Sequence, residues 1–155
     1  MCRGDLAVTR NQKGIAAEFH AEAFGLPTEP GAYVLLIELA DNFVVKLSGR
    51  PEVTLPSGHY LYCGSARGPG GIKGRVGRHM QREKSIRWHV DRLTTKGTVL
   101  GAWVFPGGDE CELVAMLTGM PVPIPGFGSS DCEACASHLL AWLPGMVLPF
   151  GGRSN

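Results

Sequence analysis

Apolar residues fall into short runs separated by Gly, Pro, Asn and Asp, and that punctuation sets the predicted elements. Gly31-Ala-Tyr-Val-Leu-Leu-Ile-Glu-Leu39 is nearly continuous and β-rich, which predicts a buried strand. Asp41-Asn42 supplies turn chemistry before a second strand, Phe43–Leu47. Residues 48–58 carry Ser, Gly and Pro and read as a connection, and His59-Tyr-Leu-Tyr-Cys63 reads as a third strand. Such short spacings favour antiparallel pairing over crossover helices. Residues 64–71 are a glycine-rich loop. Behind it Ile72, Val76 and Met80 recur every four positions and predict a helix over 72–83, whose other faces carry Lys73, Arg75, Arg78, His79 and Arg82. A second helix is expected over 86–93, a fourth strand over 98–105, and a helix from an Asp109 cap to Leu117 with Glu112 completing a capping box. Prolines 121, 123 and 125 with Gly126 and Gly128 make the next segment loop-rich, before a short helix near 135–143. Upstream, Ile15, Phe19 and Ala23 share one face of a short helix that Gly25 and Pro27 stop. The sum is an α/β chain of the α+β type, a small, mostly antiparallel three- to four-stranded sheet flanked by helices. Residues 1–29 read as an accessory arm, 30–143 as the domain and 144–155 as a tail.

At 155 residues and 44% hydrophobic, the chain has material for one core. Its apolar runs fall far short of the roughly 18 residues a bilayer span needs. The N-terminus stays polar through Lys13 and lacks the apolar centre of a signal peptide. These features point to a cytoplasmic protein with no membrane partner, and five cysteines in such a chain read as reduced thiols. Net charge is +1, but its distribution is uneven. Between Arg67 and Lys96 lie nine basic residues and two acids, Glu83 and Asp91, so that segment is +7 and the remainder −6. A polyanion would be drawn to the segment and repelled elsewhere; a solvated helix face is the plainer explanation. There is no Gly-Lys-Ser/Thr P-loop, glycines 68, 70, 71 and 74 miss the dinucleotide spacing, and no serine sits in a nucleophile elbow.

Candidate chemistry lies where two aromatic-ended strands feed the basic helix. Gly31-Ala32-Tyr33 opens the first strand, Tyr62-Cys63-Gly64 closes the third, and Arg75 and His79 are neighbours on one helix face. Phenol, guanidinium and imidazole together suit a phosphodiester, with Arg holding the non-bridging oxygens and Tyr or His moving protons; strand-end tyrosines also commonly pack with a wet hydroxyl.

The order Gly31-Ala-Tyr33, Tyr62-Cys-Gly64, Arg75-x-x-x-His79 and a later helical acid resembles the GIY-YIG nuclease superfamily. Leu55–Ala66, Arg78-His79, Trp88-His-Val-Asp91, Glu110-Cys-Glu112-Leu and Phe127-Gly-Ser-Ser-Asp-Cys132 look like an uncharacterised bacterial and archaeal branch of it, over roughly residues 30–143. The resemblance implies a metal-dependent endonuclease acting on nucleic acid, DNA in preference to RNA, in structure-selective or repair-related cleavage. Tyr33 would be the base or relay, Tyr62 its support, Arg75 the phosphate clamp and His79 a proton-transfer partner. Glu112 would hold Mg²⁺ or Mn²⁺, with Glu110 as the rival ligand. Arg67, Lys73, Arg78, Arg82 and His89 would contact nucleic acid. Ala32 and Cys63 replace the middle residues of the two tripeptides and should face away from the site. The 68–71 loop lengthens the link to Arg75. The chain has no room for an appended targeting domain, which is consistent with recruitment by a repair protein. A non-catalytic nucleic-acid-binding module is the alternative.

Cys132-x-x-Cys135-x-x-His138, with Cys111, offers thiolate and imidazole ligands suited to Zn²⁺. Buried cysteines tying down the C-terminal loop are the commoner explanation of that pattern.

Overall fold

A computed structural model describes residues 17–117, 119–128 and 135–150. In chain order the elements are β1 (Glu18–His20), β2 (Gly31–Leu39), β3 (Phe43–Val45), β4 (Val53–Leu55), β5 (Gly58–Ala66), α1 (Gly71–Met80), α2 (Asp91–Lys96), β6 (Thr98–Pro106), α3 (Glu110–Met116) and β7 (Leu139–Trp142). Five strands form an antiparallel sheet in the order β1-β6-β2-β5-β7, and β3 and β4 make a separate hairpin. The class is the mostly antiparallel α+β arrangement expected, with more strands.

The unbroken apolar run of β2 follows from cover on both faces. Tyr33, Leu35, Ile37 and Leu39 enter one core cluster with Ile72 and Val76 of α1. Ala32, Val34 and Leu36 enter a second, with Leu113 and Leu117 on the α3 side. Strands with two buried faces lose the polar alternation of a one-sided sheet. Among the described residues no helix is long and apolar enough to cross a membrane.

Several expected elements differ. Of the predicted 15–24 helix, residues 18–20 are strand β1 and residues 21–24 are bends and turn; residues before 17 lie outside the described chain. Phe19 packs on Trp103 with ring centroids 4.7 Å apart, lying over Gly101, and this pairing with β6 outweighs a weak local helical pattern. The predicted 86–93 helix begins only at Asp91, because the Asp91 carboxylate accepts the Arg87 and Trp88 N–H groups and folds residues 87–90 into a turn. Residues 53–55 form β4 inside a stretch read as connection. The helix expected near 135–143 is strand β7 over its later part. Leu139 enters the first cluster, while Leu140 and Trp142 enter the second, an alternation that the β5 edge imposes.

Helix α1 starts on Gly70 and Gly71, both at positive φ (85° and 59°). A Cβ at Gly71 would overlap the Thr28 carbonyl, so the segment before β2 and the helix start approach as only glycine permits. The Ile72 and Lys73 N–H groups donate to the carbonyls of Glu29 and Pro27 at 2.9 and 2.8 Å. That helix terminus is thus capped by the chain itself.

Candidate active site

The β2–β5 register places Tyr33 opposite Gly64 and Tyr62 opposite Leu35, so the two tyrosines are diagonal neighbours on one sheet face. Helix α1 packs on that face through Ile72 and Val76, which brings His79 to Tyr33. The Tyr33 hydroxyl and His79 Nε2 are 2.9 Å apart, and both residues are 1% exposed. Ala32 and Cys63 join the opposite cluster, as expected. The 68–71 loop does not draw Arg75 away, since its Nη1 donates to the Ser65 carbonyl at 3.1 Å.

Burial sets the electrostatics. It holds the Tyr33 and Tyr62 hydroxyls well above their ordinary range, with Arg75 pulling both partly back. Burial drives His79 down to about 3. Asp91 opposes that shift, while Arg75, Lys84 and Arg78 add to it. His79 is therefore a neutral imidazole, and its 3.9 Å approach to Asp91 Oδ1 through Nδ1 is not an ion pair. With the phenol donating to Nε2, the ring proton belongs on Nδ1, the side facing Asp91.

Asp91, fully buried, is the hub behind this pair. Arg78 grips it with two bonds of 2.9 and 3.1 Å, and the Arg87 and Trp88 N–H groups donate to it at 2.7 and 3.0 Å. These bonds outweigh burial and hold its carboxyl below its usual range. The guanidinium carbons of Arg75 and Arg78 lie 4.4 and 4.6 Å from the Trp88 ring centroid. The place of Asp91 behind His79 comes from the packing of α1 against the turn before α2.

Glu110 and Glu112 share the first turn of α3, whose cap is the Asp109 side chain accepting from Cys111 N at 2.7 Å. Two residues apart means about 200° around the helix, so the two carboxylates leave in nearly opposite directions. Glu110 is coupled to the tyrosines, its charge raising both Tyr33 and Tyr62. Burial lifts its own carboxyl above the usual range, against a Ser65 hydrogen bond and the charges of Arg67 and Arg75.

The expected nucleic-acid contacts divide. Arg67 and Lys73 are exposed beside the glycine loop. Arg78 is committed to Asp91, and Arg82 donates to the Gly97 carbonyl at 2.9 Å and to Thr98 Oγ1 at 3.1 Å. His89 Nδ1 accepts the Gly128 N–H at 3.0 Å and packs on Phe127. The structure thus gives these last three internal partners.

Cys111, Cys135 and His138 form a second, fully buried group whose ligand atoms all lie within 4.8 Å of one another and which could hold a metal ion. Both cysteines are in disulfide-bonded form, which differs from the reduced state expected. Cys132 lies outside the described residues. Cys63 is a buried free thiol that burial keeps protonated.

Residues 32–145 match the model of an uncharacterised family, the domain of unknown function DUF123, and the chain belongs to that family. No curated protein and no solved structure matches it.

Proposed function

We propose that this DUF123 protein is a GIY-YIG-type endonuclease, a divalent-cation-dependent hydrolase of phosphodiester bonds in nucleic acid, DNA in preference to RNA. The observation that carries this reading is the convergence of Tyr33, Tyr62, Arg75, His79 and Glu110 at one end of the sheet, with the Tyr33 hydroxyl on a neutral imidazole.

Tyr33 is too basic as a phenolate to ionise alone, so it acts as a relay. A water gives its proton to the Tyr33 oxygen as the phenol proton passes to His79 Nε2, and the imidazolium, strongly acid because burial holds the ring to about 3, passes that proton on to solvent. The resulting hydroxide forms the new bond to phosphorus, the bond to the leaving oxygen breaks, and that alkoxide takes a proton from solvent. Asp91, beside Nδ1, stabilises the imidazolium formed. Arg75 balances charge on the non-bridging oxygens. Glu110 would hold Mg²⁺ or Mn²⁺. One half-buried carboxylate, completed by waters and substrate phosphate, is a donor set these hard cations accept. The bound ion would supply positive charge at the phosphate and leaving oxygen.

Arg67 and Lys73, both exposed, supply backbone affinity without reading bases. Such binding suits structure-selective cleavage with recruitment by a repair protein. The near-complete burial of Tyr33 and His79 favours a second reading, a nucleic-acid-binding module without turnover.

Cleavage of labelled single-stranded, nicked, flapped and branched DNAs with Mg²⁺ separates the two. Loss of cutting in both Tyr33→Phe and Glu110→Gln proteins, purified in parallel, supports the nuclease. Binding by wild type with no cutting of any substrate supports the module.

A further inference from the structure

We infer that Cys111, Cys135 and His138 form a binding site for a thiophilic divalent cation of the zinc class, beside the phosphodiester site, with Glu110 between the two. Its ligands come from two places, the first turn of α3 and the segment entering β7, so a metal there would pin α3 to the sheet edge. Cys111 is 5%, Cys135 9% and His138 2% exposed. The three ligand atoms all lie within 4.8 Å of one another; once the disulfide-bonded sulfurs are reduced, small shifts bring them to the spacing of about 3.5–3.8 Å that tetrahedral zinc ligands take.

His138 supplies the independent observation. Neither of its ring nitrogens makes a hydrogen bond, although the ring is almost wholly buried. An imidazole buried with its nitrogens unsatisfied is costly, and a metal on one of them removes much of that cost. The Nδ1 atom lies 3.5 Å from Glu110 Oε2. A carboxylate beside the ring of a metal-bound histidine is the usual orienting partner. The histidine backbone is fixed on both sides, its N–H donating to the Phe127 carbonyl and its carbonyl accepting from Cys63 N, each at 2.9 Å. A cavity of about 300 Å³ bordered by Cys111, Cys135 and Ser137 gives the site an approach. Three protein ligands leave one tetrahedral position for a further donor. Hard cations such as Mg²⁺ would not choose two thiolates.

Metal binding requires the thiols. The test therefore begins with the full chain treated anaerobically with a phosphine, which cleaves S–S bonds to thiols and is itself oxidised to the phosphine oxide. Titration with Co²⁺ is expected to give one equivalent bound, with a sulfur-to-cobalt charge-transfer band and the visible bands of a tetrahedral ion, both abolished by one equivalent of Zn²⁺. Cys135→Ser and His138→Gln should each weaken cobalt binding at least tenfold, while Cys63→Ala leaves it unchanged. Zn²⁺ should also slow alkylation of cysteines 111 and 135 in the wild-type chain, a readout that needs no variant. Absence of the charge-transfer band, or alkylation at the same rate with and without Zn²⁺, would overturn the site. These readouts are independent of cleavage, so they stand or fall apart from the nuclease reading.

Discussion

The ring of Tyr33 lies across Gly64, its register partner on β5, so closely that a Cβ at position 64 would overlap the phenol ring. The glycine is thus a seat for the tyrosine that reaches His79. Gly64→Ala is expected to destabilise the protein by about 1–3 kcal/mol, the range for overpacking a tight core, and to reduce cleavage by displacing the hydroxyl. Thermal unfolding of Gly64→Ala, Tyr33→Leu and the double variant checks this. Removing the ring should relieve much of the alanine's cost, so an additive cycle would contradict the contact.

Arg78 and Asp91 make a two-bonded pair whose carboxylate is fully buried. Cutting one partner leaves a buried charge, so Arg78→Gln is expected to cost about 3–5 kcal/mol. Its role in nucleic-acid affinity should be small beside that. Lys73→Gln, on an exposed position of α1, should do the opposite. It should leave melting unchanged, weaken DNA binding and lower the salt slope by about one. Asp91 titrates below its usual range because of Arg78 and the two backbone donors. The stability it contributes is present above the unfolded carboxylate value and lost as pH falls through the folded one.

His79 imposes a second acid limit, with the sign set by the neutral form. Folding holds it to about 3, whereas the unfolded imidazole keeps an ordinary value near 6.5. Between these values the unfolded chain binds a proton that the folded chain refuses. Stability from this group is complete above about pH 6.5 and falls by at most about 1.4 kcal/mol per pH unit down to about 3. Asp91 faces the ring and limits the fall; Arg75, Arg78 and Lys84 deepen it. Denaturant midpoints between pH 7 and 4.5 should drop in the wild type and drop less in His79→Gln. Parallel curves would show that the imidazole is not held neutral.

The elements legible in sequence were those whose local pattern and tertiary role agree. β2 and β5 are long, apolar and aromatic-ended, α1 carries a four-residue apolar spacing, and Asp109 caps α3 as its side chain predicts. Those elements hold Tyr33, Tyr62, Arg75 and His79, so most of the candidate site could be read from the chain. What could not be read was decided by distant partners. Phe19 is in a strand because Trp103 and Gly101 receive it, and Leu139–Trp142 is a strand because the edge of β5 is open to it. Likewise Arg78, Arg82 and His89 look like phosphate ligands in a basic run, and only the fold supplies Asp91, Thr98 and the Gly128 N–H as their partners.

Local spacing leaves the choice between Glu110 and Glu112 open, and the position of Glu110 beside the tyrosines is why our proposal assigns the cation to it. Both lie in the first turn of α3, yet about 200° apart. Glu110 acts on Tyr33 and Tyr62 and is itself bonded by Ser65 of β5, the strand that carries Tyr62. A carboxylate placed there is the one our proposal expects to share a cation with a phosphate held by Arg75. Glu110→Gln keeps the shape and removes the charge, so it is expected to lower the Mg²⁺-dependent cleavage rate by about 10²–10³, as loss of an electrostatic group at a reacting phosphate does. Glu112→Gln should stay within a few-fold of wild type. The comparison needs rates measured across Mg²⁺ concentration at fixed ionic strength, with both variants melting within a few degrees of wild type. Equal losses in the two variants would mean that the first turn of α3, rather than the Glu110 carboxylate, supports the reaction. A loss confined to Glu112→Gln would move the cation to the other face of the helix and away from both tyrosines.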